Sequence, residues 1–205
     1  MDDMWSVVAT ERGALADDLD GVDDAAWDTR SLCEKWTVRD AVAHIIATAE
    51  MTPPKFVGKM IGSGFDFQMM TAKEIADKRG QSPAAELKHL REVRDRRTGP
   101  PGPTTSWLGE AIVHSEDVRR PLGIAHTYPM EAVVAVADFY KKSNVLIGSK
   151  KRIEGLTLQA TDTDWSHGNG PTVEGPMLSL LLAMTGRAAT LDDLTGDGVE
   201  ALRAR

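Results

Sequence analysis

The stretch GEAIVHSEDVRRPLG, residues 109–123, places Glu110 and His114 four positions apart, with Asp117, Arg119 and Arg120 just beyond. Residues four apart on a helix project from neighbouring positions of one face, so this carboxylate and this imidazole are able to approach one ion together. A catalytic zinc site wants three protein ligands of the His and carboxylate type, with a fourth position left for water or substrate. His44, in TVRDAVAHIIATAEM, is the candidate third ligand, because it lies on a separate helical segment. The spacing also suits a solvated Glu–His pair, and a histidine on an apolar face also suits a core position.

The neighbouring residues carry the same two-sided reading. Asp117 either orients a ligand from behind or forms a surface pair with Arg120 at i,i+3. Arg119 and Arg120 either hold a substrate carboxylate or supply the positive charge favoured in a last helical turn. His89 and His126 read as surface residues, and His167, in DWSHGNG, as a loop histidine. Trp36 and Trp107 each precede a ligand-bearing segment, where they either wall a pocket or anchor the core.

The elements that must position these groups follow from periodicity and punctuation. Trp5, Val8, Leu15 and Leu19 mark one face of a first helix ending near Gly21, and Asp23 and Asp24 open a short turn before Trp27. Thr37 with Asp40 makes a capping-box variant for a second helix with Val38, Val42, Ile45 and Ile46 as its stripe. The prolines and glycines of MTPPKFVGKMIGSGF break or kink that helix. Ser82 and Pro83 start another, with Leu87, Leu90 and Val93 facing inward. GPPGPTTSW then leads into the Glu110 segment, whose buried side is Leu108, Ile112, Val113 and Val118 and which closes at Pro121 and Gly123.

A fifth helical segment runs from about Pro129 through EAVVAVADFYKKSNVLIG. After it, Leu156, Leu158 and Ala160 alternate with polar residues as in a strand, SHGNGPTVEG is rich in turn residues, PMLSLLLAMTGR is a short helix ending at Gly186, and LDDLTGDGVEALRAR supplies a final turn and tail. The expectation is a helical body over 1–150 and a small mixed α/β domain over 151–205, with no internal repeat.

The 205 residues suffice for a core that folds without metal or disulfide. With 24 Lys and Arg against 31 Asp and Glu, the net charge of −7 argues against a phosphate-backbone footprint, so no nucleic-acid partner is expected. Cys33 is the only cysteine, which excludes an intrachain disulfide and suits a reducing compartment and a small buried apolar group. The acidic start MDDMWSVVATERGALADDLD is unlike a signal peptide, and apolar runs such as LSLLLAM fall short of a membrane span. A cytoplasmic protein with no membrane partner is expected, as monomer or homodimer.

The stretches EKWTVRDAVAHI and GEAIVHSEDVRRPLG resemble the two metal-bearing segments of the mycothiol-dependent maleylpyruvate isomerase family, within the DinB-like superfamily. TDTDWSHGNGPTVEGPMLSLLLAMTGR and LDDLTGDGVEALRAR resemble that family's C-terminal domain, whereas 51–103 matches nothing specific. The resemblance implies a mainly α protein, a DinB-like four-helix bundle followed by a small α/β C-terminal domain. It implies His44, Glu110 and His114 as ligands of zinc or another divalent metal, and mycothiol, the small thiol of actinobacteria, as cosubstrate. Asp117 and Arg120, by their place beside the cluster, are candidates for contacting that thiol; Arg187, whose position resembles an arginine of that family's C-terminal domain, and Asp117 are candidate catalytic residues. Arg187 also suits a helix end, where a cation is favoured by the dipole.

Zinc with an open position lowers the pKa of a bound thiol. Thiolate attack on an electron-poor double bond, then rotation and elimination, gives cis–trans isomerisation; attack without elimination gives an S-conjugate. The partners expected are a low-molecular-weight thiol and a small electrophile. Two other readings use the same residues: a non-catalytic metal or small-molecule binding protein, and a zinc-dependent hydrolase.

Overall fold

The computed structural model describes residues 3–145 and 147–205. Residues 1–2, at the start of the acidic N-terminal stretch, and residue 146, in the segment read as the end of the fifth helix, lie outside the described residues. The chain forms two compact units, Met1–Thr127 and Tyr128–Arg205.

In the first unit, α1 spans Met4–Asp18, and a short 3-10 turn over Asp24–Asp28 buries Trp27. Helix α2, Val38–Glu50, starts at the capping box of Thr37 and Asp40 that the spacing predicts. The Pro- and Gly-rich segment does end α2, but it opens a new helix at once. Thr52 caps α3, Pro53–Gly62, and its prolines occupy the first turn, where a missing N–H leaves nothing unsatisfied. Helix α4, Phe67–Lys78, follows, a helix that the sequence reading did not contain. Ser82 caps α5, Pro83–Val93, and α6 runs over Thr104–Arg119.

Four of these helices make the bundle, each packed between two others in the cyclic order α1, α6, α2, α5, while α4 lies outside on α2 and α3 on α4. Leu15, Trp27, Val42, Ile46, Leu90 and Val118 meet in the core. Each such side chain contributes about 1.5–3 kcal/mol by leaving water.

The second unit begins with α7, Met130–Tyr140, then the single turn α8, Ser149–Arg152. Strands β1 (Thr157–Ala160), β2 (Ser166–Gly168) and β3 (Thr172–Gly175) form a sheet in the order β2-β1-β3, antiparallel on the first side and parallel on the second. The turn-rich SHGNGPTVEG thus carries two strands. Helix α9, Met177–Met184, is buried along almost its whole length against the sheet and α7, and α10 spans Val199–Arg203. Because α7 packs on α9, the units divide at 127/128 rather than at 150. No described helix is long and apolar enough to cross a membrane.

Candidate metal centre

The capping box fixes the start of α2, and His44 stands seven residues past Thr37, two turns into the helix. Glu110 and His114 stand one turn apart on α6, the helix that packs beside α2. Nε2 of His44 lies 3.0 Å from Oε2 of Glu110, and Nε2 of His114 lies 3.3 Å from that same oxygen. One donor atom from each residue therefore falls within 4.8 Å of the others, the one such cluster among the described residues. Donors around a tetrahedral zinc at about 2.1 Å stand roughly 3.4 Å apart, so these separations suit a divalent ion with little rearrangement.

Behind the cluster, Nδ1 of His114 lies 2.8 Å from Oδ2 of Asp117, whose side chain has no exposed surface. With its Nδ1–H donated to that carboxylate, a neutral His114 presents a lone pair from Nε2. That lone pair faces the carboxylate oxygen of Glu110, an arrangement that requires a proton or another cation between them. Without a metal, the proton takes this place. Burial opposes charge on His114, but the charge of Glu110 and the hydrogen bonds to Asp117 and Glu110 push the ring up to about 9. Glu110 is likewise opposed by burial, yet the two histidines hold it well below the usual carboxylate range. His44 moves the other way: burial lowers it more than the Glu110 hydrogen bond raises it. The site therefore offers one neutral imidazole, one carboxylate and one imidazole whose proton an incoming metal would have to displace.

One wall is aromatic. The ring centroid of Trp36 lies 4.7 Å from that of His44 and 5.4 Å from that of His114, and the two imidazoles meet edge to face at 4.6 Å. Trp36 also packs against the bundle core, so it both walls the site and anchors the core. Trp107 instead lies over Gly99 and Gly102 in the loop before α6.

The remaining candidates separate. Arg120 bonds Glu116 at 3.0 Å, and Asp117 is turned inward to His114. Arg119 has no exposed side-chain surface and bonds Asp18 of α1 at 2.6 Å, which ties α6 to its neighbour and leaves it unsuited to a substrate carboxylate. Arg187 lies in the second unit, just past α9, and donates from Nη1 to the carbonyl of Thr185 at 3.0 Å, as a cation closing a helix does. His89 and His126, read as surface residues, are half-buried partners of Glu50 and Glu11. His167 sits on β2 opposite Leu158 rather than in a loop. Cys33 is a half-buried thiol and is not one of the converging donors.

A family model described as the mycothiol maleylpyruvate isomerase N-terminal domain matches residues 8–135. Two solved structures match over 95% of this chain and 91% of theirs: the mycothiol-dependent maleylpyruvate isomerase, at 17% identity and a TM-score of 0.66, and a histidine-to-alanine mutant of it, at 18% and 0.63. At such identity the likeness speaks for a shared fold. No curated protein sequence matches the chain.

Proposed function

Since the chain belongs to the mycothiol maleylpyruvate isomerase N-terminal domain family, we propose that it is a thiol-dependent enzyme, an isomerase or S-transferase in which His44, Glu110 and His114 hold a divalent ion, zinc by the chemistry of the donor set. The observation that carries the reading is the single Glu110 oxygen facing both Nε2 atoms, with the far nitrogen of His114 already engaged by Asp117. Bound there, the ion supplies Lewis acidity that brings the pKa of an incoming thiol toward neutrality.

The chain's own groups do the rest. His44 and His114 contribute neutral nitrogens, and Glu110 contributes the one negative charge among the ligands. Asp117 holds the His114 tautomer, and Trp36 keeps water from one side. The thiol comes from outside, because Cys33 is not among the converging groups; mycothiol is the cosubstrate that the family implies. The external sulfur adds to an electron-poor double bond, the resulting single bond rotates, and expulsion of the same thiol leaves the isomerised product with no net consumption. If the thiol stays, the product is an S-conjugate. Arg120 is the residue proposed to contact the thiol, the enclosed Asp117 acts only through His114, and Arg187 is proposed for an anionic substrate. The reading takes the cytoplasm as the compartment.

The test is elemental analysis of the wild type beside Glu110→Ala, followed by calorimetric titration of the metal-loaded protein with mycothiol. Near-stoichiometric zinc that the variant loses, together with heat of binding for the thiol, is expected. Zinc with no thiol binding would move the protein to the metal-binding or hydrolase reading, and a wild type that cannot be loaded would overturn the site.

A further inference from the structure

Residues 30–37 form a closed strap between the 3-10 turn and α2. Arg30 and Thr37 pair as an isolated antiparallel bridge at its base. Inside it, Ser31 N–H donates to the Trp36 carbonyl at 3.0 Å and Trp36 N–H to the Cys33 carbonyl at 2.8 Å, so both backbone groups of Trp36 are engaged. Ser31 Oγ bonds the Cys33 carbonyl, and Arg30 Nη1 the Glu34 carbonyl. The strap is also fixed to the site itself: Leu32 N–H donates to the backbone carbonyl of Asp117 at 3.3 Å.

Trp36 immediately precedes the N-cap of α2. An apolar residue there ordinarily staples onto the fourth helical residue. That residue is Ala41, which offers only a methyl group, and the indole instead reaches His44 one turn further on and His114 on the facing helix. A flat ring set at 42° and 40° to the two imidazoles limits rotation of both about their last side-chain bond. Asp117 fixes the plane of His114 through Nδ1, whereas among the described residues no hydrogen bond does the same for the far nitrogen of His44.

We propose that Trp36 is a positioning residue of the His44–Glu110–His114 cluster, its tilted indole ring setting the imidazole planes from which the two Nε2 atoms reach a shared ion. The proposal deepens the metal-centre reading and rests on it. Its premise is a cost of misalignment: supporting residues around metal ligands are worth about 10–100-fold in affinity.

Trp36→Phe keeps a flat ring, and Trp36→Leu keeps apolar packing against the core without one, so the pair separates positioning from core filling. Each is loaded with cobalt(II), its visible spectrum recorded, and its affinity read by chelator competition, with thermal unfolding as the check on folding. The expected result is about a tenfold loss of affinity and weakened four-coordinate cobalt bands in Trp36→Leu, with most of both restored in Trp36→Phe. Equal behaviour of the two variants, whether both wild-type or both impaired, overturns the proposal. If the wild type takes up no cobalt, the metal reading fails separately, and the histidine resonances of the metal-free protein decide this inference. Duplicated or broadened His44 and His114 signals in Trp36→Leu, sharp again in Trp36→Phe, support it; unchanged signals overturn it.

Discussion

Asp117→Asn keeps the shape of a side chain with no exposed surface and removes the charge 2.8 Å from Nδ1 of His114. In the metal-free protein, His114 rises from 6.5 to about 9, against burial, through the charge of Glu110 and then the bond to Asp117. That rise corresponds to roughly 3 kcal/mol of preference for the charged ring. Because the hydrogen bond and charge of Asp117 are among the causes that raise the ring, the asparagine lowers the His114 pKa. Two consequences for metal binding then oppose each other. Losing the supporting carboxylate weakens affinity about 10–100-fold. Yet a metal must displace the His114 proton, which costs about tenfold in apparent affinity for each pH unit by which the ring's pKa exceeds the working pH, so a lowered pKa eases binding at pH 7. The deficit of the variant is therefore smaller at pH 7 than above about pH 10, where both rings are mostly deprotonated, by up to roughly tenfold for each pH unit of lowering. A proton NMR titration of His114 without metal and chelator competition at the two pH values measure both numbers. A His114 pKa unmoved by the substitution, or a deficit equal at both pH values, would refute the reasoning.

Three further outcomes follow from residues outside the ligand set. Glu50 is disfavoured as a charge by burial, but hydrogen bonds from Lys78 and His89 hold it below its ordinary 4.5. Its contribution is therefore present above about pH 4.5 and lost as pH falls through the folded value, so Glu50→Gln flattens the acid limb of a stability–pH curve measured by urea unfolding. Asp18→Ala deprives the buried Arg119 of its α1 carboxylate and is expected to lower unfolding free energy by about 3 kcal/mol; a loss under about 1 kcal/mol means that the tie between α1 and α6 is dispensable. Gly168→Ala puts a Cβ against the Leu156 carbonyl oxygen at a φ of +93°, and a loss of roughly 3 kcal/mol or more in the same assay is expected.

The elements most legible in the sequence are those with a cap and one buried stripe. Thr37 with Asp40 and Ser82 with Pro83 fix the starts of α2 and α5, and Leu87, Leu90 and Val93 all face inward. Helix α3 shows the limit of that signal: none of its ten residues is buried, so its prolines and glycines speak louder than any stripe. Strands β2 and β3, three and four residues long, are too short to alternate visibly between Gly168, Gly170 and Gly175. The division at 127/128 was illegible for another reason. Ala132, Val133, Val136 and Ala137 show that α7 has an apolar face but not which partner covers it, and the answer, α9, lies some forty residues on.

The convergence of His44, Glu110 and His114 was legible by residue type and resemblance, and the pairing behind it was not, because helical spacing is degenerate. Asp117 stands three residues after His114 and three before Arg120, and Glu116 stands four before Arg120, so each pairing satisfies the same local rule. Burial breaks the tie. Every residue from Leu108 to Arg119 is buried except Glu110, although the segment reads as a charged helix face. A carboxylate enclosed there must find a donor within reach or bear the cost of burial alone. Glu116 reaches Arg120, which retains access to solvent, and Arg119 crosses to Asp18 on α1. Asp117, fully enclosed and with its backbone carbonyl accepting from Leu32 N–H, takes the Nδ1–H of His114. That pairing removes one of the two nitrogens from further use, so the ring has only Nε2 to offer, and Nε2 faces Glu110, the one residue of the stretch left partly open.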